Sequence, residues 1–227
     1  MDLSKIEKFF TPNMIPERVH IIGCGSVGST LAELLARYGL TKFTLWDMDI
    51  VEPKNIANQM FFHKHIGMKK VDAVADIICM VNPEAKEDIV LQPNGWHGEM
   101  VRGYVFLAVD NIEIRKEFVK KNQNNPFVKA VFDIRTGLTD AQSFAADWSN
   151  PKRVANLLKS MEFTHEEAVA DTPVSACGIV QGFAPTVRFI STPAVTNFIN
   201  FATGKGIKKM ILTDPFNLDA EEIVTAK

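Results

Sequence analysis

Three glycines behind a short apolar segment limit this chain more than any other feature of its sequence. Residues 19–22 read Val-His-Ile-Ile, residues 23–28 read GCGSVG, and an amphipathic helix is predicted over 29–38. A second apolar segment at 43–46 then ends at Asp47. The order strand, turn, helix, strand is the repeating unit of parallel sheets. The pattern therefore predicts an α/β protein with a parallel sheet.

The spacing of Gly23, Gly25 and Gly28 fits a loop that holds a nucleotide. The first glycine permits a tight turn, the second lets a phosphate approach the backbone, and the third lets the helix pack on the strand. Asp47 stands 19 positions after Gly28, where an acid can bond ribose hydroxyls. On its own, this motif suits NAD, FAD or ATP equally well.

Strands and helices continue to alternate up to about residue 133. Helices are predicted at 69–80 and 112–121, and strands at 89–91, 104–109 and 128–132. Apolar runs that alternate with helical patterns are typical of sheets with helices on both faces. We therefore predict a Rossmann-like, doubly wound, mostly parallel sheet.

The pattern changes in the C-terminal part of the chain. A strand at 137–146 is predicted to leave the parallel sheet, a helix follows at 151–161, and a mobile loop is expected at about 163–176. We expect all 227 residues to form a single domain. Its core would be residues 18–135, and residues 136–227 would add the C-terminal strands and helices.

Prolines interrupt the last long helix that the sequence predicts. An apolar stretch over 178–202 is predicted to be helical but broken near Pro185 and Pro193. A last strand is expected at 207–213.

The connection over 48–68 is long for a loop, and loops of that length are often functional.

Composition excludes several classes of protein. Hydrophobic residues make up 46% of the chain, enough for a core, and the formal net charge is −2. Without a basic stripe, a nucleic-acid partner is not expected. No apolar run approaches the ~18 residues that cross a bilayer, and the N-terminus lacks a signal-peptide pattern. Three scattered cysteines form no zinc or disulfide pattern, so we expect a cytoplasmic protein.

The residues after the glycine loop narrow the choice of nucleotide. An acid-x-acid pair and a valine are followed by an asparagine and a glutamine, and a Gly-x-x-Lys opens the next helix. Later a strand ends in Asp-Asn, with an arginine four residues on. This set resembles the ThiF/MoeB-like activating enzymes over residues 19–135, and more loosely over 170–204. Its members here are Asp47, Asp49, Val51, Asn55, Gln59, Gly67, Lys70, Asp110, Asn111 and Arg115.

The resemblance implies an ATP-binding enzyme that joins AMP to a carboxylate. Asp47 would hold the ribose, Asn55 and Lys70 would reach the phosphates, and Asp110 would bind Mg²⁺, which suits its preference for carboxylate and phosphate oxygens. Lys70 and Asp110 are thus the expected catalytic residues. The other expected members of the nucleotide site are Asp49, Gln59, Asn111 and Arg115.

The resemblance also implies a partner. The substrate carboxylate is expected to be the C-terminal Gly of a ubiquitin-like or sulfur-carrier protein. Related dehydratases instead adenylate a carboxylate on modified tRNA. Members of the family commonly pair, so a homodimer is expected, and the apolar stretch after Gly178 could supply its surface.

Two positive charges that the family usually carries are missing. The position before Gln59 is normally an arginine and is here Asn58, which supplies dipoles only. No upstream arginine motif precedes the glycine loop. Adenylation could then use Lys69 or Arg135, or it could be lost, which leaves an inactive nucleotide-binding scaffold as one alternative. An NAD- or FAD-dependent oxidoreductase is another, although it leaves Lys70 unexplained.

Cys177 is the candidate nucleophile. It lies just before the predicted helix at Gly178, and a helix N-terminus favours the thiolate. In some relatives, a cysteine in this loop accepts the activated carboxylate as a thioester. The alternative is a small residue packed at a helix start. Cys24 is expected to pack inward from the glycine loop, and Cys79 to lie in the core.

Overall fold

The structure is a computed structural model that describes residues 1–170 and 181–222. Within these ranges, one eight-stranded sheet is accompanied by six α-helices. The strands are β1 (Val19–Ile22), β2 (Phe43–Trp46), β3 (Val90–Gln92), β4 (Gly103–Leu107), β5 (Val128–Thr136), β6 (Ala141–Asp147), β7 (Met210–Asp214) and β8 (Asp219–Glu222). The helices are α1 (Ser26–Arg37), α2 (Lys70–Val81), α3 (Ile112–Asn122), α4 (Pro151–Lys159), α5 (His165–Ala170) and α6 (Ala184–Ala202).

The sheet confirms the predicted Rossmann-like class. Its strand order is β3-β2-β1-β4-β5-β6-β7-β8. The first five strands are parallel, and β6, β7 and β8 each run antiparallel to the strand before them. The strand predicted to leave the parallel sheet is therefore confirmed as β6. From β1 the sheet first extends to one side, through β2 and β3, and then to the other side, through β4 and β5. This change of direction leaves a crevice at the carboxyl ends of β1 and β4.

Alternating side chains divide the core between the two faces of the sheet. Ile21 belongs to one buried cluster, with residues of α1, α2 and α6, whereas Ile22 belongs to a second cluster with α3 and α4. Successive residues of a strand point to opposite faces, so β1 is buried on both. On the first face, Phe198 of α6 packs edge-on against Phe106 and Phe132, with ring centroids 5.5 and 5.7 Å apart. Such contacts add to the hydrophobic gain from burial.

The last long helix differs from its prediction. α6 begins at Ala184, with Pro185 in its first turn, and it continues through Pro193. The predicted break at Pro193 is wrong, because the apolar side of α6 is buried against the sheet around that position and tertiary packing outweighs the lost hydrogen bond. Residues 178–180 of the predicted helix lie outside the described residues, and 181–183 are not helical.

The loop predicted at 163–176 is partly helical. Residues 165–170 form α5, so the loop prediction is wrong there, and 171–176 lie outside the described residues. Thr164 Oγ1 accepts a hydrogen bond from the N–H of Glu167 at 3.1 Å, and the Glu167 carboxylate accepts from the Thr164 N–H at 2.7 Å. This reciprocal pair is a capping box that starts a helix.

Two smaller differences concern the N-terminal half. α1 starts at Ser26, three residues earlier than predicted, because the glycine loop itself enters the helix. The long connection contains short 3-10 turns at Pro53–Ala57 and His63–His65. Among the helices in 1–170 and 181–222, none has the length and apolar character to cross a bilayer.

A buried histidine on β1 makes stability depend on pH. His20 Nδ1 accepts from Trp46 Nε1 at 3.3 Å, and its Nε2 lies 3.0 Å from the Arg102 carbonyl oxygen. Burial lowers the pKa of His20 to about 4, against the opposing effect of the Arg102 carbonyl. The unfolded chain therefore takes up this proton first as the pH falls.

We expect the free energy of unfolding to fall between about pH 6.5 and pH 4, by roughly 3 kcal/mol at 1.36 kcal/mol per pKa unit. His20→Gln should flatten this part of the pH profile in urea unfolding. His63→Gln, at an exposed position, is the matched control and should keep the slope. An equally steep profile in His20→Gln would contradict the assignment.

Candidate functional site

Neighbouring strand ends bring the predicted residues to one edge of the sheet. β1 runs parallel to β2 and β4 and lies between them. The glycine loop follows β1, Asp47 follows β2, and Asp110 comes shortly after β4. All of them therefore border the crevice between β1 and β4, which is where open α/β sheets bind ligands.

Two glycines of the loop are required by close packing, and the third faces open space. Gly23 has a φ of +95°, and a Cβ there would lie 2.7 Å from backbone atoms of Ala108. A Cβ on Gly28 would lie 1.9 Å from the carbonyl oxygen of Gly23. A Cβ on Gly25 would meet nothing within 4 Å. Space above Gly25 thus lets a ligand approach the backbone closely.

The first turn of α1 faces the same space. Gly25 is the N-cap of this helix, and no side chain caps its start at Ser26. The first N–H groups of a helix have no intrahelical acceptor, and they lie at the positive end of the helix dipole. This end of α1 therefore suits an anion such as a phosphate.

Asp47 ties the end of β2 to the glycine loop. Its carboxylate accepts from the N–H of Cys24 at 2.6 Å and from the N–H of Asp49 at 2.9 Å. Burial raises the pKa of Asp47, while the charge of Lys70 and the two N–H donors oppose that rise. The carboxylate is thus placed beside the loop, where ribose hydroxyls lie in sheets of this kind.

A short backbone ladder places Lys70 beside Asp49. Ile50 and Lys69 form an antiparallel bridge, and the Lys70 N–H donates to the Asp49 carbonyl at 2.9 Å. Gly67 turns the chain into this ladder with a φ of +89°, a conformation that favours glycine. The Nζ of Lys70 then donates to the Asp49 carboxylate at 2.7 Å.

Several carboxylates act on the charge of Lys70, which is only 9% exposed. Burial by itself would lower the pKa of Lys70. The hydrogen bond to Asp49 and the charges of Asp47, Asp49 and Asp110 outweigh burial and raise it. Lys70 therefore stays protonated at neutral pH, and folding brings these three acids within electrostatic reach of it.

A depression of about 360 Å³ lies beside these charges. Asn55 Oδ1 accepts from the Glu52 N–H at 2.8 Å, which leaves the Asn55 NH₂ group to donate elsewhere. The buried Oε1 of Gln59 has no donor among the described residues. Met48 and Ile50 also border the depression, and they are 58% and 53% exposed. They were not among the residues predicted for the site, although they alternate with the acids Asp47 and Asp49 in the sequence. The depression is lined by Met48, Asp49, Ile50, Glu52, Lys54, Asn55 and Lys70.

The sequence matches one known protein family over most of its length. The model of the ThiF family matches residues 13–224. The chain belongs to the ThiF family. Among curated proteins, it is 29% identical over 133 residues to the tRNA threonylcarbamoyladenosine dehydratase of Haemophilus influenzae, covering 53% of this chain and 51% of that enzyme. It is 44% identical over 71 residues to ubiquitin-like modifier-activating enzyme 5 of Bombyx mori, covering 31% of this chain and 18% of that enzyme.

Solved structures show the same architecture. E. coli MccB in complex with MccA superimposes with a TM-score of 0.70 and 14% identity, covering 95% of this chain and 67% of that one. TcdA (CsdL) superimposes with a TM-score of 0.66 and 17% identity, covering 89% and 94%. At these identities the likeness concerns the fold. The chain spans about half the length of the dehydratase and less than a fifth of the activating enzyme that it matches.

In this ThiF-family protein, two motif residues make contacts within the fold. Asn111 Oδ1 accepts from the Glu113 N–H at 2.8 Å and caps α3. Arg115 is buried, and its guanidinium donates to the carbonyl of Val109 and contacts Asp133. These contacts differ from those expected for nucleotide ligands. The expected nucleotide contacts of both residues remain untested predictions.

The position that normally holds arginine forms a tether instead. Asn58 Nδ2 donates to the Gly182 carbonyl at 3.2 Å and so joins the connection after β2 to the segment before α6. Of the basic groups that could replace the missing charge, Arg135 is engaged with Asp133 and with Ser160. The other, Lys69, is exposed.

The cysteines differ in their access to solvent. Cys24 is fully buried, and burial together with the charge of Asp47 raises its pKa well above the usual range. Its predicted inward packing is confirmed. Cys79 is partly exposed, so its predicted core position is only partly correct. Cys177 lies outside the described residues.

The glycine contacts predict effects of unequal size for two similar substitutions. Gly28→Ala should destabilise the protein by about 3 kcal/mol, because its Cβ would overlap the Gly23 carbonyl and overpacking has costs of this order. Gly25→Ala should destabilise it much less, since no atom lies within 4 Å of the added Cβ. Chemical unfolding measures both, and equal losses would contradict the packing described.

Proposed function

We propose that this protein catalyses ATP-dependent adenylation of a carboxylate with release of pyrophosphate. The observation that supports it is the meeting of the glycine loop, Asp47, Lys70 and Asp110 at one crevice. A dinucleotide oxidoreductase needs the glycine loop and Asp47, but it has no use for a buried lysine paired with acids beside them.

The residues of the crevice fit a nucleoside triphosphate. The open space over Gly25 and the N–H groups of α1 accommodate phosphate. Lys70 supplies a fixed positive charge, which favours the charge that develops on the phosphates. E. coli MccB, which shares this fold with a TM-score of 0.64, has been solved with ATP.

We also propose that Asp110 holds a Mg²⁺ ion. In residues 1–170 and 181–222, no group of three or more His, Cys, Asp or Glu side chains could hold a metal by itself. Mg²⁺ is usually held by one or two carboxylates together with phosphate oxygens, so the donor set fits an ion that arrives with ATP. Bound there, the ion would neutralise phosphate charge.

The reaction is an in-line displacement at phosphorus. An oxygen of the substrate carboxylate attacks the α-phosphorus, a bond to the acyl oxygen forms, and the bond to the pyrophosphate oxygen breaks. The products are an acyl adenylate and pyrophosphate. Lys70 stabilises the departing negative charge, while Asp47 orients the ribose and Asn55 donates to a phosphate.

The substrate that we propose is the C-terminal Gly of a ubiquitin-like or sulfur-carrier protein. The similarity to ubiquitin-like modifier-activating enzyme 5 supports it. The similarity to a tRNA-modifying dehydratase favours a carboxylate on RNA as the second candidate, although the net charge of −2 does not favour a polyanion. Cys177 would accept the activated acyl group in a later thioester step, which adenylation itself does not need.

The tether at Asn58 favours a further alternative, an inactive scaffold that keeps the nucleotide. The side chain that would replace the family's arginine is committed to Gly182. Such a scaffold would bind ATP but form no acyl adenylate with any partner.

Pyrophosphate exchange into ATP tests the adenylation step. With a Gly-ending carrier protein, we expect Asp110→Asn and Lys70→Met each to lower the exchange rate by about 100-fold, the scale for losing one electrostatic contact in an active site. Cys177→Ser should leave it unchanged. Lys64→Met is the matched control, because Lys64 also pairs with an aspartate but is exposed and does not line the depression beside Lys70. Equal rates in all variants would rule out the assigned site.

Ligand-induced stabilisation separates the nucleotide classes. A ligand that binds only the folded state raises stability by about 2.7 kcal/mol at 100 times its dissociation constant. We expect ATP with Mg²⁺ to raise the melting temperature of the wild-type protein, and NADH or FAD to leave it unchanged. A larger rise with NADH than with ATP would favour the oxidoreductase.

A further inference from the structure

A buried ionic network contacts the residue that precedes Asp110. Its centre is Asp133 near the end of β5, a fully buried residue that pairs with Leu107 across the sheet. One carboxylate oxygen of Asp133 contacts Nη1 of Arg115. The other accepts from Nε of Arg135 at 2.8 Å. Two guanidinium groups thus share one buried carboxylate, which fixes the orientation of both.

Arg115 connects this network to the turn that carries Asp110. Its Nε donates to the carbonyl of Val109 at 2.8 Å, and its Nη2 contacts the same oxygen. Its Nη1 also donates to the carbonyl of Ile134 at 3.0 Å. The side chain is only 7% exposed, so protein groups enclose the guanidinium and occupy its donors.

Holding the carbonyl of Val109 also controls the direction of Asp110. This carbonyl belongs to the peptide unit that leads into Asp110, and a peptide unit is planar. On the other side, Asn111 accepts from the N–H of Glu113 and caps α3. Asp110 is exposed, but the chain is fixed immediately before it and immediately after it.

We propose that Arg115 is a positioning residue that aims Asp110 at the crevice, and that it does not bind the nucleotide itself. The inference rests on the proposed function, in which Asp110 holds Mg²⁺. A carboxylate on an unsupported turn would have to be ordered when the metal binds, and that ordering costs free energy. The network orders the turn beforehand.

Arg115→Lys tests this role with its charge retained. Lysine can still pair with Asp133, but it lacks the planar fork that reaches Val109 and Ile134 together. Arg153→Lys is the matched control, because Arg153 of α4 also donates to a backbone carbonyl, that of Ile207 at 3.1 Å, in the segment before β7.

Amide hydrogen exchange in the ligand-free protein reads the turn directly. The N–H of Ala108 donates to Ile22 and the N–H of Glu113 donates to Asn111, so both report on the ends of the turn. We expect exchange at these two amides to be at least tenfold faster in Arg115→Lys, and within twofold of wild type in the control. Exchange rates at both amides of Arg115→Lys that equal those of the wild-type protein would overturn the positioning role.

The metal dependence of pyrophosphate exchange separates positioning from direct binding. Arg115→Lys should raise the Mg²⁺ concentration for half-maximal activity about tenfold, while ATP affinity in EDTA stays within twofold. An equal loss of metal-free ATP affinity would show instead that Arg115 binds the nucleotide. Should wild type lack Mg²⁺-dependent activity, the proposed function fails, and hydrogen exchange still decides whether Arg115 holds the turn.

A second variant covers the case in which Arg115→Lys does not fold. Arg135→Gln removes the charge at the other oxygen of Asp133 and leaves Arg115 in place. We expect exchange at Ala108 and Glu113 to rise by about threefold, because the shared carboxylate is then held by one arginine. No change there would contradict the network.

Discussion

The contact between α1 and the carbonyl of Gly23 is the constraint on which the site depends. With only a hydrogen at Gly28, the helix approaches the end of β1 so closely that a Cβ would lie 1.9 Å from that oxygen. The first turn of α1 therefore starts directly above the strand, and its N–H groups face the crevice. The same turn directs the N–H of Cys24 to Asp47, so helix, loop and second strand hold one another in place.

Acidic side chains outnumber the lysine at the centre of the crevice, and this excess of negative charge affects which ligands can bind there. Asp47, Asp49 and Asp110 all act on the charge of Lys70. A bare triphosphate would meet net negative charge there, which the helix N-terminus offsets only in part. A triphosphate that carries a divalent cation is much better matched. Burial opposes ionisation of both Asp47 and Lys70, so the charged form of each depends on its neighbours.

Strand ends could be located from sequence, and the directions of side chains could not. Asp47 and Asp110 each follow a buried apolar strand, so the parallel topology alone predicts that they meet at one edge. Arg115 stands at the expected spacing, yet spacing does not reveal that its guanidinium turns back to Val109 and Asp133. Its partner Asp133 also follows a predicted apolar strand, at 128–132, but β5 continues to Thr136 and buries this carboxylate within the sheet. Local signals were also missed, such as the Thr164-x-x-Glu167 capping box of α5.

Asn58 connects two segments of the chain at a position where the family resemblance predicts an arginine. The family's arginine would place a charge near the phosphates, whereas the shorter asparagine donates to the carbonyl of Gly182. The contact is close, because a Cβ added at Gly182 would lie 3.1 Å from the amide nitrogen of Asn58. The connection after β2 is thereby fastened to the segment that leads into α6. With this charge absent and Arg135 held by Asp133, Lys70 is the buried lysine that supplies positive charge at the crevice. Any adenylation here must then rely on the metal more heavily than it would with the arginine present, which is why the support of Asp110 by Arg115 matters for this chain.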